Sequence, residues 1–296
     1  MEAVIRRILF LAVILFIYGG SAFASVAVDG GWLEPRLDDP DLILIDMSSD
    51  PTQYQRFHIP GAVHIPYKYL TATRRDGVSV RAGDRQLKQI LGYLGITPES
   101  QIVIYDDMGG LEAGRLFWEL ERIGHENLAL LDGGLVKWIL DGKRVVARES
   151  EPRSKAYPGA LGEVRANVAD IEQVQAALKD GKTRLLDVRS REEYAGDRRA
   201  KRSGHIPGAG WWPWEESVRF DQGFVLREEA QLRESLAALG LEDPETPVIL
   251  YCRTGHRASQ SYYVLRRLGY RDVKIYDGSM AEWSRTTLPL KEGMEP

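Results

Sequence analysis

The sequence predicts an α/β protein in which one domain occurs twice. Short apolar runs typical of buried strands alternate with stretches that have helical spacing. Four motifs recur in the same order, offset by 141 to 147 residues. The length of 296 residues also favours two domains. We therefore expect two tandem domains, each a parallel sheet flanked by helices.

Each element of the repeat has a counterpart in the other half. The repeated motifs are an apolar run ending in aspartate (42–46 and 184–187), the pentapeptide HIPGA (58–62 and 205–209), an apolar run ending in tyrosine (102–105 and 248–251), and Asp-Gly followed by tryptophan (132–138 and 277–283). A nearly constant offset across four motifs indicates duplication.

Strands and helices can be assigned within this repeat. The apolar runs that end in tyrosine are short and typical of buried strands. Residues 113–122 and 258–267 have helical spacing, and Gly124 and Gly269 follow them as expected at helix C-termini. The predicted boundaries are an N-terminal domain over 25–148, a linker over 149–165 with two prolines, and a C-terminal domain over 166–296.

Composition excludes several classes of function. Lysine and arginine total 39 against 43 aspartates and glutamates, and no basic block stands out in the sequence. Nucleic acid is therefore not an expected partner. Cys252 is the only cysteine, which rules out an internal disulfide and a cysteine-rich zinc site. The five histidines form no HExxH pattern. We predict neither a metal nor a cofactor.

The first 24 residues are typical of a secretory signal peptide. Arg6 and Arg7 precede an apolar run from Ile8 to Tyr18, which is short for a membrane span. Cleavage after Ala24 is the predicted processing step. The mature protein is then expected in the periplasm or outside the cell, without membrane attachment.

The loop that follows the strand at 248–251 is suited to an anionic sulfur. Its sequence is Cys252-Arg-Thr-Gly-His-Arg257, and a helix follows. The turn between a parallel strand and the next helix is where such sheets bind ligands. Converging N–H groups and the helix N-terminus favour the thiolate, and Arg253 and Arg257 add positive charge. We therefore expect Cys252 to be a nucleophile that small dianions can reach.

These motifs resemble those of tandem-domain rhodaneses, the thiosulfate sulfurtransferases. The resemblance covers nearly all of residues 30–290 and rests on the duplicated HIPGA, the two strand-end aspartates and the cysteine loop in the second copy alone. It implies a five-stranded parallel sheet in each domain and one active site in a cleft near the domain interface. Asp106 occupies the position of Cys252 in the first copy, so that domain is expected to be inactive. Its acidic loop is expected to repel anions.

The resemblance implies a two-step transfer from a small sulfur donor to a thiophilic acceptor. Cys252 takes the outer sulfur of thiosulfate as a persulfide, and cyanide or a thiol removes it. N–H groups of Arg253, Thr254, Gly255, His256 and Arg257 are predicted to bind the persulfide and the donor. Arg189 matches a donor-binding arginine; the alternative is an exposed surface arginine.

Several nearby residues are assigned structural roles. Asp46 and Asp187 are expected to accept hydrogen bonds from loop N–H groups. His58 and His205 occur in both copies, which favours stabilisation of turns over catalysis. His256 is expected to face solvent.

Three other functions remain open. A mercaptopyruvate sulfurtransferase shares the architecture, but its loop typically lacks the charges found here. A phosphatase or arsenate reductase places five residues between cysteine and arginine, whereas four intervene between Cys252 and Arg257. A non-catalytic sulfur carrier or redox-responsive binding module would hold sulfur without turning over.

Overall fold

The computed structural model describes residues 25–159, 161–162, 164–197, 199 and 202–296. The predicted signal peptide and its cleavage site lie outside these residues. None of the described helices is long and apolar enough to cross a membrane.

The first domain contains a five-stranded sheet with helices on its faces and a separate two-stranded hairpin. Its strands are β1 (Ala27–Val28), β2 (Leu42–Asp46), β3 (Val63–His64), β4 (Thr71–Thr73), β5 (Ser79–Arg81), β6 (Gln101–Tyr105) and β7 (Leu128–Leu131). Its helices are α1 (Gly30–Leu33), α2 (Pro51–Arg56), α3 (Asp84–Leu94), α4 (Ala113–Arg122) and α5 (Gly134–Leu140), with 3-10 turns at Glu34–Arg36 and Tyr67–Leu70.

The second domain repeats this order. Its strands are β8 (Val168–Ala169), β9 (Arg184–Asp187), β10 (Gly210–Trp211), β11 (Val218–Arg219), β12 (Val225–Leu226), β13 (Val248–Tyr251) and β14 (Val273–Tyr276). Its helices are α6 (Ile171–Asp180), α7 (Arg191–Ala195), α8 (Glu229–Ala237), α9 (His256–Arg267) and α10 (Ser279–Trp283), with 3-10 turns at Trp214–Ser217 and Phe220–Gln222.

The two main sheets are parallel and have the same topology. Their strand orders are β1-β7-β6-β2-β3 and β8-β14-β13-β9-β10, which confirms the predicted pair of five-stranded parallel sheets. The register is also shared, because Asp46 pairs with Tyr105 as Asp187 pairs with Tyr251. Asp106 and Cys252 therefore follow equivalent central strands at the same edge of their sheets.

Two antiparallel hairpins were not anticipated from the sequence. Strands β4 and β5 pair in the first domain, and β11 and β12 pair in the second. Each follows a 3-10 turn, and their two- and three-residue strands are too short to give an alternating apolar pattern.

The domains join through α4 and α9, which pack against each other. Gly114 permits this approach, because a β-carbon there would lie 2.8 Å from the carbonyl oxygen of Ser259. Phe117 and Tyr263 meet edge to face across the contact, with ring centroids 5.4 Å apart. Buried apolar residues of both domains form one continuous cluster there, so the two cores are not independent. The helices that follow the two equivalent loops are thus held side by side.

Candidate active site

The loop after β13 is held in a tight turn that places Cys252 at the start of α9. Gly255 has φ of +78°, in the left-handed region that glycine adopts most readily. A β-carbon at this position would lie 2.3 Å from Oδ1 of Asp277. On the other side of the loop, the N–H of Met280 donates to the carbonyl of Cys252 at 3.1 Å. The backbone of the loop is therefore fixed on both sides.

Backbone N–H groups of this loop are left free to bind an anion. The N–H groups of Cys252 and Gly255 donate to Oγ of Ser279, at 3.2 and 3.1 Å, so they are not free to donate to the sulfur. Among the described residues, no acceptor is found for the N–H groups of Arg253, Thr254, His256, Arg257 and Ala258. These five groups lie at the N-terminus of α9, where the helix dipole also favours negative charge. Gly255 is thus not one of the free donors, and the binding of a persulfide by the other N–H groups stays a prediction.

The first domain shows what the equivalent loop does with an anion. Oδ1 of Asp106 accepts from the N–H groups of Met108 and Gly110, at 3.0 and 2.9 Å. Oδ2 accepts from those of Glu112 and Ala113, at 2.8 and 2.9 Å. The backbone of this loop therefore binds the carboxylate of the loop's own first residue, and the repulsion of external anions stays a prediction.

Burial opposes the charge on Asp106. It raises the pKa of the carboxyl, while the N–H groups of Ala113, Gly110 and Met108 pull the pKa back down. Four backbone donors are thus arranged around one buried carboxyl group. An exogenous ligand cannot enter this space, and the residue carries no nucleophilic sulfur.

Two of the arginines that the sequence predicts to bind the donor are engaged in ion pairs. Arg257 forms a two-bonded ion pair with Glu193 at 2.5 and 2.9 Å, so its charge is largely neutralised rather than free for the donor. Arg189 is not a surface arginine, since it is 5% exposed and pairs with Asp187 at 2.6 Å. Arg253 is exposed, and the described residues offer its side chain no ion-pair partner. Arg253 is thus the least compensated positive charge on the loop.

A cavity of about 480 Å³ opens beside the loop at the carboxyl edge of the second sheet. Arg189 and Arg253 both line it, together with residues of α7 and α10. Cys252 does not line it. The structure therefore brings two of the predicted binding residues to one cavity and leaves the sulfur outside its wall.

Three side chains of the first domain reach the loop, and sequence reasoning missed all three. Tyr67 packs against His256 with ring centroids 4.3 Å apart and the ring planes tilted by 44°, and Oε2 of Glu112 lies 3.2 Å from Nε2 of the same histidine. Arg115 is fully buried and pairs with Asp277 at 2.6 Å. The expectation that His256 faces solvent was wrong, because its side chain is 26% exposed and lies against the other domain.

The sulfur itself is enclosed. Cys252 is 1% exposed, which differs from the expected accessible thiol. Burial raises the pKa of the Tyr67 phenol, and the nearby charges of Asp277 and Cys252 add to that rise while Arg115 opposes it. Tyr67 is therefore one of the groups that close the site from the first domain.

The structural assignments in both copies are confirmed. Asp46 accepts the N–H of Ser48 at 2.7 Å, and Asp187 accepts that of Arg189 at 3.0 Å. Nδ1 of His58 bonds the carbonyl of Tyr54, and His205 makes the same contact in the second domain. These groups fix the turns behind the loops.

Comparison with known proteins places the fold and the loop in a family. The model of the Rhodanese-like domain family matches residues 29–141 and 170–286. The chain belongs to the rhodanese family. The two matched segments fall within the two domains of this rhodanese, so the duplication inferred from the motifs is confirmed.

Curated relatives extend over most of the chain. A thiosulfate sulfurtransferase of Pseudomonas aeruginosa is 36% identical over 252 residues, covering 85% of this rhodanese and 91% of the relative. A protein of Thermus thermophilus named sulfur carrier protein TtuD is 32% identical over 291 residues, covering 93% and 100%. Among solved structures, YnjE is similar with a TM-score of 0.79 at 25% identity, covering 90% of this chain and 68% of that one.

Proposed function

We propose that this rhodanese is a thiosulfate sulfurtransferase that carries sulfur as a persulfide on Cys252. The observation that supports this most is the set of N–H groups without acceptors beside Cys252, among the described residues. The equivalent loop of the first domain uses such groups to bind the carboxylate of Asp106. A persulfide anion on Cys252 is a comparable ligand for the second loop.

The first half-reaction is a displacement at sulfur. The thiolate of Cys252 attacks the outer sulfur of thiosulfate and forms a new S–S bond. The S–S bond of the donor breaks, and sulfite leaves with its electron pair. The product on the protein is the persulfide anion, which the N–H groups of Thr254, His256 and Arg257 are placed to stabilise.

Arginines recruit and orient the donor. Arg253 is exposed beside the cavity and is suited to attract the dianion. Arg189 lines the same cavity, but most of its side-chain N–H groups donate to Asp187 and to the carbonyl of Gly204. We therefore infer that Arg253 attracts the donor and that the role of Arg189 is mainly structural.

Thiosulfate is preferred over the other donors for reasons of charge and size. Arg253 places a positive charge on the loop, where mercaptopyruvate sulfurtransferases typically have none. Four residues between Cys252 and Arg257 make a smaller ring than a phosphatase loop, which suits one sulfur atom rather than a tetrahedral oxyanion. Relatives at 36% and 34% identity bear the name thiosulfate sulfurtransferase.

A sulfur carrier is the second candidate. The Thermus relative that spans 93% of this chain is named for that role. The burial of Cys252 also suits a persulfide that is protected until a partner removes it. Slow turnover with a stable, stoichiometric persulfide favours this candidate.

Turnover measurements separate these candidates. Thiosulfate, mercaptopyruvate and phenyl phosphate are offered to the wild-type protein and to Cys252→Ser. We expect turnover with thiosulfate only, and its loss in Cys252→Ser because serine cannot form a persulfide. A preference for mercaptopyruvate or hydrolysis of phenyl phosphate contradicts the assignment, as does sulfur transfer by the variant.

We also propose that the protein is exported and cleaved after Ala24. The charged start, the apolar run and the small residues before Ser25 support this. Expression of the full chain in a Gram-negative host, followed by fractionation and N-terminal sequencing, is expected to give a periplasmic or secreted protein beginning at Ser25. An intact N-terminus in the cytosol contradicts it.

A further inference from the structure

Two aspartates at equivalent positions each bind the hairpin of the opposite domain. Asp132 follows β7 of the first domain, and its Oδ1 accepts the N–H of Leu226 in β12 at 2.8 Å. Asp277 follows β14 of the second domain, and its Oδ2 accepts the N–H of Arg81 in β5. The two donors and the two acceptors are both offset by 145 residues. One backbone hydrogen bond is therefore repeated in both directions across the interface.

An arginine of the opposite domain also binds each aspartate. Arg115 of α4 donates to Oδ1 of Asp277 at 2.6 Å and to Oδ2 at 3.3 Å. Arg267 of α9 donates to Oδ2 of Asp132 at 3.0 Å. Arg115 is fully buried and Asp277 is 5% exposed, whereas the side chains of Arg267 and Asp132 are 29% and 20% exposed. The pair beside the catalytic loop is thus the more deeply buried of the two.

Asp277 differs from Asp132 in its contact with the loop of its own domain. Oδ1 of Asp277 is the atom nearest to the place of a β-carbon on Gly255, and Nη1 of Arg115 follows at 3.1 Å. Gly110 is equivalent to Gly255 by the same offset, but the atoms nearest to its β-carbon are side-chain carbons of residues other than Asp132. The cross-domain contacts therefore reach the loop in the catalytic half alone of these two places.

The first domain fixes both groups that bind Asp277. The side chain of Arg81 pairs with Glu119 of α4 at 3.2 Å, which holds the end of β5 against that helix. The guanidinium carbon of Arg115 lies 4.7 Å from the ring centroid of Trp118, over the face of the indole. The carboxylate of Asp277 is therefore held by the first domain while it packs against the catalytic loop of the second.

We propose that Asp277 is a positioning residue for sulfur loading, through which the first domain sets the place of the catalytic loop. This inference rests on the proposed function. Asp277 acts through Gly255 and not on the donor itself. The neighbours Thr254 and His256 carry N–H groups without an acceptor in the described part of the chain. When Gly255 moves, these N–H groups are displaced from the persulfide anion that they are proposed to bind.

Asp277→Asn is expected to slow the maximal rate of loading, because the amide nitrogen cannot accept the hydrogen bonds of Arg115. Loss of a whole donor to a developing anion typically costs about 10²- to 10³-fold, and a displaced donor costs less, so we expect roughly a tenfold loss. The concentration of thiosulfate that gives half-maximal loading should stay within about twofold of wild type. Arg253 attracts the donor, and its carbonyl is held by the N–H of Ala281.

Sulfite released in a single loading cycle measures this on the full chain. The rate constant reports the folded protein and the amplitude reports the fraction that is folded. A variant that is merely destabilised therefore loses amplitude and keeps its rate constant. Asp132→Asn is the matched control, because it weakens the equivalent contact with Arg267 and leaves the contact between Asp277 and Gly255 in place. We expect its rate constant to match wild type.

Removal of both charges keeps the test valid if Asp277→Asn folds poorly. That variant leaves Arg115 buried without a charged partner, whereas Arg115→Met combined with Asp277→Asn removes the whole ion pair, a change that proteins often tolerate. Arg115→Met alone is also expected to slow loading. The double variant should be no slower than the slower single variant, because both changes act through the same contact with Gly255.

Two results overturn the proposal. One is a wild-type rate constant in the folded fraction of Asp277→Asn or of the double variant, with only the amplitude or the half-saturating thiosulfate changed. The other is an equal loss of rate in Asp132→Asn, which would assign the effect to the interface as a whole. Failure of wild type to load sulfur contradicts the proposed function instead, so the two failures are distinct.

Discussion

Asp106 shows how one residue can close a site and stabilise it at the same time. Its carboxylate accepts four backbone hydrogen bonds in a loop equivalent to the one that holds Cys252. Sequence alone predicted that this position cannot carry sulfur. It could not predict that four backbone N–H groups donate to the carboxylate, because the direction of each N–H depends on the backbone of the loop.

Asp106→Asn is expected to destabilise the protein and spare the chemistry. The amide nitrogen cannot accept the N–H groups of Glu112 and Ala113, so two buried donors lose their acceptor. The expected loss in the free energy of unfolding is about 2 kcal/mol, measured by urea denaturation. The rate of persulfide formation on Cys252 should remain within about twofold of wild type. A large loss in that step would mean that the carboxylate of Asp106 itself supports sulfur transfer.

His125 makes stability depend on pH. Burial lowers its pKa to about 4, and its Nε2 lies 3.4 Å from the hydroxyl of Tyr157 in the linker. The unfolded chain binds this proton near pH 6.5, so stability is lost as pH falls from about 6.5 towards 4. At ~1.36 kcal/mol per pH unit the loss reaches up to about 3 kcal/mol.

His125→Gln is the matched variant for this prediction. It should remove that part of the pH dependence, so the difference in unfolding free energy between the two proteins should narrow on acidification. Urea denaturation at pH 7 and pH 5 measures it. Parallel pH dependence in both proteins would exclude His125 as the cause.

Among the elements, the turn between β13 and α9 sets the geometry of the site. The strand, the loop and the helix were all predicted, with α4 placed at the residues expected and α9 beginning two residues earlier. The residues that contact the loop were not predicted, because Tyr67, Glu112 and Asp277 are distant from Cys252 in the chain. Short-range patterns report local structure and carry no signal for such contacts.

Gly255→Ala is expected to abolish thiosulfate loading. A β-carbon there meets Oδ1 of Asp277 at 2.3 Å and Nη1 of Arg115 at 3.1 Å, so the loop must move. Gly269→Ala is the control, because it has φ of +89° with nothing within 4 Å of its β-carbon. Both changes are expected to lower the free energy of unfolding by roughly 1–2 kcal/mol, because alanine must adopt left-handed backbone at each position. If both variants load sulfur equally well, the contact with Asp277 does not position the loop.

The two domains pack as one unit around the loop of Cys252. The duplication and both sheets follow from the repeated motifs, but the shared apolar cluster and the buried pair of Arg115 and Asp277 emerge only when the domains are packed. The first domain carries Asp106 at the position of Cys252 and packs against the second domain. It supplies Tyr67, Glu112 and Arg115 to the loop of its partner.

Gly114→Ala tests the dependence of the site on this interface. The added methyl lies 2.8 Å from a carbonyl oxygen of α9, so the helices must separate. Overpacking of this kind typically costs about 1–3 kcal/mol, and persulfide formation should slow because Arg115 moves with α4. Gly162→Ala, whose β-carbon meets nothing within 4 Å, is the control in denaturation and loading assays. Unchanged loading in Gly114→Ala would show that the interface does not support the site.

Mass spectrometry of the thiosulfate-treated protein probes the identity of the sulfur-bearing group without any acceptor. Proteolysis after treatment locates the added mass, and released sulfite is counted in parallel. We expect one extra sulfur atom on the peptide that contains Cys252, and one sulfite released per chain. An unmodified Cys252 peptide after full exposure to thiosulfate would contradict the assignment of this enclosed cysteine as the sulfur carrier.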